Sequence, residues 1–194
     1  MNNGNNIWNP QKMTAAALLT AVGIAIPLMS PVKIIIEPAS FTLASHVAIF
    51  IAMMMGPATA AVVVTGTFLG FFLSAPLPIA VRAASHIVFA MLGAFYLRRN
   101  PSTLNSAAKT HAFSFVIGLI HGGCEVLAVC ALYFNGLWTA NYQLGIVWGV
   151  GILVGVGSVI HSMVDFEISY AVYKALSRQR GLAALLGAKP RVTE

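Results

Sequence analysis

The sequence predicts an all-α integral membrane protein, a single domain spanning residues 1–194 with a bundle of six transmembrane helices. The composition is 58% hydrophobic and only 8% charged, whereas soluble domains carry about 25% charged residues. The apolar runs are continuous, which excludes the alternating pattern of a membrane β-barrel. Residues 38–73 contain no Lys, Arg, Asp or Glu and are interrupted only at Gly56-Pro57. A helix of that length would rise about 54 Å, against a hydrocarbon core of about 30 Å, so the break predicts a turn between two membrane-spanning helices.

The first three helices are expected at about residues 13–29, 42–55 and 58–73. Helix 1 carries a stripe of alanines, Ala17, Ala21 and Ala25. Small residues four apart let another helix approach closely, either inside the protein or in a partner subunit. The proline-containing loop after helix 1 is long enough to fold over a site. Helix 2 is short, so it is tilted, begins inside that loop, or spans incompletely.

The last three helices are expected at about residues 79–97, 112–134 and 144–176. The loop 98–111 is the most polar of the chain. Helix 6 is too long for one straight span, so we expect its last turns to emerge into water and lead into the basic tail.

The distribution of positive charge predicts the orientation. Of the 11 Lys and Arg residues, nine lie on the side that six helices assign to both termini, and two, Lys33 and Arg82, lie on the other. Loops rich in Lys and Arg remain in the cytoplasm. Both termini are therefore expected in the cytoplasm, and the loops after helices 1, 3 and 5 outside.

Arg82 is the most informative single residue, because an arginine in a bilayer costs from about 3 to more than 10 kcal/mol and needs a partner or a wet cavity. It either snorkels to the interface from the start of helix 4, or presents its planar fork to a ligand carboxylate. His86 lies one turn later on the same face. We favour a ligand anion, because Glu37 in the loop is the only acid expected near that depth.

Other polar residues of the outer half are weaker candidates. His46, near the start of helix 2, is either a packing residue or a ligand contact. The outer loop after helix 5 mixes amides with aromatics, as an interfacial aromatic belt does, and as a pocket for a small polar vitamin would. Its candidate residues are Asn135, Trp138, Asn141 and Tyr142.

Two histidine–acid pairs stand one turn apart within helices. His121 with Glu125 in helix 5 is either a proton relay or a hydrogen-bonded polar patch. His161 with Asp165 is expected near the cytoplasmic end of helix 6, where it would serve packing or contact a partner.

No catalytic residue, cofactor site or metal site is expected. The sequence has no glycine-rich phosphate loop with its lysine, no H-E-x-x-H and no nucleophile elbow. The five histidines are dispersed over four helices and a loop, which is not a metal-binding spacing. The protein is therefore not expected to be an enzyme.

The alanine stripe of helix 1, the motif F-T-L-A-S-H-V (residues 41–47) and the Gly56-Pro57 turn together resemble the S-components of energy-coupling factor transporters. These are the vitamin-capturing subunits of ATP-driven importers in the bacterial plasma membrane. The resemblance covers essentially the whole chain. It implies that the alanine face contacts a transmembrane coupling subunit, which works with two ATPase subunits.

The resemblance also implies that the vitamin binds in the outer half, under the loop after helix 1. This agrees with Arg82, His86 and His46 as contacts and adds Phe41, which opens the motif. The pattern is similar to the pantothenate and niacin groups, whose ligands both bear a carboxylate, with pantothenate as first choice. A stand-alone proton-coupled carrier using Glu125 and His121 is the alternative.

Overall fold

The computed structural model describes residues 10–36, 39–137 and 145–179 as a helical bundle. Five of its described helices are long and apolar enough to cross a membrane. The elements in chain order are α1 (Pro10–Met29), β1 (Lys33–Ile36), β2 (Ala39–Thr42), α2 (Val47–Met55), α3 (Pro57–Ser74), α4 (Leu77–Arg99), a 3-10 helix (Pro101–Asn105), α5 (Ala107–Phe134), a π-helix (Ile146–Val156) and α6 (Gly157–Ser177).

The segment between α1 and α2 forms an antiparallel hairpin, which the helical prediction missed. Ile34 pairs with Phe41 and Ile35 with Ser40. Three successive isoleucines favour the extended conformation, because branched side chains fit a pleated surface better than a helix. β1 is exposed, and Ala39 at the start of β2 is buried.

Helix α2 is shorter than the expected range 42–55. It has nine residues, so it rises only about 14 Å and cannot cross a membrane alone. Of the three alternatives for a short helix 2, incomplete spanning is therefore the one that holds, and the prediction of two membrane-spanning helices in residues 38–73 was wrong in its first half. The break at Gly56 is where the sequence placed it: Gly56 has a φ of 126°, and Pro57 opens α3. Neighbouring helices enclose α2, and the residues from Val47 to Met54 are buried.

The apolar core lies around α2, α4 and α6. Its largest fully buried side chains are Ile49, Phe50, Met53, Phe89 and Phe166. The rings of Phe50 and Phe166 pack edge to face with centroids 5.3 Å apart, a favourable geometry for aromatic pairs.

Helix α1 packs through a different face from its alanine stripe. Ala16 and Gly23 are buried, and Thr20 lies against Gly66 of α3. Ala17 and Ala21 are exposed, and Ala25 is half-buried. Within the described residues, the stripe is therefore directed away from the helices that α1 packs against.

The predicted sixth helix consists of two segments, because residues 146–156 wind as a π-helix before α6 begins. This segment packs closely on α5 at two glycines: a β-carbon on Gly122 would lie 2.7 Å from the carbonyl oxygen of Gly155. Such a contact leaves no room for a side chain. It brings the backbones together one turn before Glu125 and one turn before Ser158.

Candidate functional site

Four of the five histidines converge in the interior, although they are dispersed in the sequence. The ring centroid of His46 lies 4.7 Å from that of His86, 4.6 Å from that of His121 and 5.0 Å from that of His161. Their dispersion along the chain did not indicate this convergence. Helices α4, α5 and α6 and the turn before α2 each supply one ring, and spacing along a sequence does not reveal such contacts.

Arg82 is held by an acid that the sequence analysis assigned elsewhere. Its Nη2 donates to Glu125 Oε2 at 2.8 Å, and both side chains are buried. The expectation that Glu37 is the only acid near the depth of Arg82 was wrong, because Glu125 contacts Arg82 directly. Glu37 itself lies outside the described residues. Glu125 also accepts from the Ser158 hydroxyl, and its Oε1 lies 3.4 Å from His86 Nε2.

The remaining donors of Arg82 are weakly used. Nη1 lies 3.3 Å from the Ser40 hydroxyl and Nη2 lies 3.4 Å from the Ser40 carbonyl oxygen, both long for hydrogen bonds. Its Nε is buried without a hydrogen-bond partner. Arginine presents five donors in a fixed fork, so this guanidinium retains donating capacity beside its ion pair.

Asp165 fixes the turn that precedes α2. Its carboxylate accepts from the backbone N–H of Ala44 at 2.7 Å and of His46 at 2.9 Å, and from His46 Nδ1 at 3.0 Å. The carboxylate thus satisfies backbone N–H groups of the turn ahead of α2, which would otherwise be buried without partners. Ala44 has a φ of 66°, which is uncommon for a residue with a side chain.

The structure contradicts the expected separation of His46, in the outer half, from His161 and Asp165, near the cytoplasmic end, because Asp165 accepts hydrogen bonds from His46 directly. We call the four histidines together with Arg82, Glu125 and Asp165 the polar cluster. All seven side chains are at least nine-tenths buried.

His121 is the least satisfied member of the polar cluster. It is fully buried, and neither of its ring nitrogens has a hydrogen-bond partner. Its Nε2 lies 3.5 Å from Glu125 Oε1, at the outer limit of a hydrogen bond. A buried polar group without partners costs about 1–3 kcal/mol. A ligand that contacts His121 would remove this cost.

The hairpin adds an aromatic ring to one side of the cluster. The ring of Phe41 in β2 lies 5.4 Å from that of His161 and against Gly157. Asn135 is not part of this group: it is exposed, and its side-chain amide donates to the Ala131 carbonyl oxygen at 2.8 Å. The other three candidates of the outer loop, Trp138, Asn141 and Tyr142, lie outside the described residues.

An open cavity of about 430 Å³ lies beside the turn before α2. Leu43 and Ala44 line it from the turn, and Ala25, Ile26, Met29 and Ser30 line it from the end of α1. Ala44 thus lines the cavity, and its N–H donates to Asp165 of the polar cluster. None of the seven polar-cluster residues lines the cavity itself.

Sequence reasoning missed Ser40, Ser158 and the pairing of Glu125 with Arg82. That pairing could not be predicted from the sequence, because the two residues lie at different distances from the helix ends on the same side. Arg82 is the sixth residue of α4, and Glu125 is the tenth residue from the end of α5.

The chain resembles one characterised protein over most of its length. It is 41% identical over 169 residues, 87% of this chain and 75% of the relative, to the niacin transporter NiaX of Lactococcus lactis subsp. cremoris. No protein-family model and no solved structure matches the chain.

Proposed function

This chain belongs to the S-components of energy-coupling factor transporters, and from that premise we propose that it captures niacin from outside a bacterial cell. The relative that carries the family assignment is named for niacin, which supports niacin over pantothenate, the first choice of the sequence analysis. Membership and the apolar helices make it a multi-pass membrane protein of vitamin uptake. We further propose that both termini lie in the cytoplasm and that the polar cluster opens outward.

The observation that carries the substrate proposal is the buried Arg82 with its unused Nε. Nicotinate is a flat pyridine ring with one carboxylate. A carboxylate reaching Arg82 would accept charge-assisted hydrogen bonds, the strongest class available to a side chain. Phe41 and the imidazole rings supply flat surfaces for the pyridine, since aromatic rings attract one another in offset or edge-to-face contacts.

We propose that the hairpin closes over the bound vitamin. Ser40 of β2 already lies 3.3 Å from Arg82 Nη1, and Phe41 packs beside His161. The long Ser40 contacts can shorten or be exchanged for ligand contacts at little cost. Helix α2 then serves as a base whose first turn is fixed by Asp165.

The alternative of a stand-alone carrier that uses Glu125 for protons is less well supported. Glu125 accepts from Arg82 at 2.8 Å and also from Ser158. A carboxylate paired with a guanidinium is held in its charged form, and a proton relay needs a group that exchanges its proton readily.

The experiment compares nicotinate with nicotinamide, its neutral amide, by calorimetry on the purified full chain. Replacing Arg82 alone would leave Glu125 buried and unpaired, so the test variant is Arg82→Gln/Glu125→Gln, with Glu125→Gln as its matched control. Loss of a charge-assisted contact costs about 1.5–3 kcal/mol, so we expect the double variant to bind nicotinate about 10- to 150-fold more weakly than the control. Nicotinamide affinity should change little between the two. Equal losses for both ligands would contradict the assignment of Arg82 to the carboxylate.

We also propose that the alanine stripe of α1 is the face for a transmembrane coupling subunit, which acts with two ATPase subunits. Ala17 and Ala21 are exposed while the opposite face of α1 packs on α3. Smooth faces of small residues allow close helix contact in lipid. Ala17→Trp and Ala21→Trp should each prevent co-purification with an energy-coupling module and leave niacin binding unchanged.

The matched control for these variants is Ala131→Trp, which alters an exposed alanine of α5. It should retain the complex. Co-purification that survives both α1 changes would assign the stripe to lipid contact.

A further inference from the structure

The strongest feature that the proposed function leaves unexplained is the convergence of three imidazoles on one point. The ligand nitrogens of His46, His86 and His121 lie within 4.8 Å of one another, and all three residues are buried. In the proposed function the imidazole rings serve only as flat surfaces beside Phe41. That role does not require the ligand nitrogens of three histidines to converge in the interior of a membrane protein, where polar side chains are costly.

From this arrangement we propose that His46, His86 and His121 bind a divalent first-row transition-metal ion such as Zn²⁺ or Co²⁺. Imidazole is a preferred ligand of these ions, and a site with three histidines leaves one coordination position of a tetrahedral ion open. Zn–N bonds are about 2.0–2.1 Å, so two ligand nitrogens of a tetrahedral ion lie about 3.3 Å apart. The ligand nitrogens therefore need to approach one another by up to about 1.5 Å.

His121 provides independent support for the site. Both of its ring nitrogens are buried and without hydrogen bonds, an arrangement that is rare for polar side chains in native proteins. A metal ion on one nitrogen would satisfy it, because coordination takes the place of the missing hydrogen bond.

His46 has the second contact that metal-binding histidines usually make. Its Nδ1 lies 3.0 Å from Asp165 Oδ2, which leaves Nε2 available for a metal. Such carboxylate–histidine pairs orient the ring and raise the basicity of the ligating nitrogen. The adjacent group of His46, His161 and Asp165 also has its ligand atoms within 4.8 Å, so His161 lies close enough to exchange with a ligand of the proposed site.

The charge of the polar cluster is consistent with a bound cation. With neutral imidazoles it carries two carboxylates, Glu125 and Asp165, against the one guanidinium of Arg82. Buried charge that is not compensated is costly, and a divalent cation among the imidazoles offsets the excess of negative charge.

The test uses Co²⁺, whose visible absorption reports tetrahedral coordination, on the full chain in detergent. The protein is purified through an affinity tag without histidines, treated with a chelator, and titrated with Co²⁺ and then with Zn²⁺ in the absence of any vitamin. We expect tetrahedral bands that saturate at about one equivalent and disappear on adding Zn²⁺. Zn²⁺ should also raise the unfolding temperature by mass action.

His121→Gln is the test variant, and His111→Gln is the matched control. His111 is exposed and pairs with Glu167 at 2.9 Å, away from the cluster. Removing a residue that only hydrogen-bonds to a metal ligand already weakens metal binding by about 10- to 100-fold. We therefore expect at least that loss for His121→Gln, which removes a ligand, and none for the control. Absence of tetrahedral bands in the wild type, or equal Co²⁺ affinity in both variants, would overturn the proposal. Because no vitamin is present, failure here leaves the niacin proposal standing.

Discussion

The helices that build the site carry buried polar residues in one part and buried apolar residues in another. The two halves of α4 make the clearest comparison. Its first half contributes Arg82 and His86 to the polar cluster, and its second half contributes Phe89, Ala90 and Ala94 to the apolar core. Both sets are buried, and they lie within a few turns of each other. The two regions belong to one helix, and they differ in the chemistry of their side chains.

This difference distinguishes the residues that stabilise the bundle, in the apolar core, from those that we expect to bind a ligand, in the polar cluster. Lipid tails are as apolar as the core, so helices associate in a membrane through close packing of side chains rather than through escape from water. The apolar core meets that need with closely packed rings such as the edge-to-face pair of Phe50 and Phe166. Buried charges add no comparable stability and are expensive, so the polar cluster is where we assign function.

The largest effect should come from breaking the ion pair of the polar cluster. Arg82→Ala leaves the Glu125 carboxylate buried and uncompensated, which typically destabilises a protein by about 3–5 kcal/mol. Unfolding of the protein in detergent would measure this loss. The variant Arg82→Gln/Glu125→Gln should be markedly more stable than Arg82→Ala, because no lone charge remains. Equal stability of the two variants would mean that the pair is exposed to water in the membrane.

A smaller effect is expected from the apolar core. Ile49 is 1% exposed, and Ile49→Val removes one methylene group, at a cost of about 0.5–1.5 kcal/mol. The same unfolding assay would detect it. The ratio of nicotinate to nicotinamide affinity should stay at the wild-type value, because the carboxylate contact lies elsewhere. A changed ratio would show that the two regions are coupled.

The same distinction between packing residues and binding residues determines how much of the structure could be predicted from the sequence. Apolar runs and the Gly56-Pro57 break placed α3, α4 and α5 closely, because the length and hydropathy of a span are local properties. The hairpin was missed because its two prolines predicted a loop, and hydropathy alone does not identify strands of only four residues. Helix 2 was expected to begin five residues too early, because the turn at residues 43–46 continues the same apolar run.

The site was predicted residue by residue but not as an assembly. Arg82, His86 and His46 stood out because each is a polar residue in an apolar run. Their partners Glu125 and Asp165 could not be assigned, since the relative depth of two helices depends on where each begins. His46 also lies just before α2 and not one turn inside it. Its contacts with Asp165 and His161 could therefore not be predicted from the expected helix bounds.

The smallest perturbation tests which side of the membrane each region faces. Cys124 and Cys130 are half-buried and would first be replaced. Asn135→Cys at the end of α5 should then react with a membrane-impermeant maleimide from outside, and Ser102→Cys in the 3-10 helix should not. Both positions are exposed, so neither change should alter stability measurably. The reverse labelling pattern would place the polar cluster toward the cytoplasm.

The backbone of Ala44 has a consequence for how this family varies. Its φ of 66° aims its own N–H at Asp165, a conformation that glycine, asparagine and aspartate adopt more easily than other residues. Selection at position 44 therefore acts on the main chain and not on the methyl group. Related transporters that keep Asp165 are expected to drift among Ala, Gly, Asn and Asp here, while the exposed Leu43 beside it is free to diverge. A valine or isoleucine at position 44 would indicate that a relative has lost the contact between this N–H and Asp165.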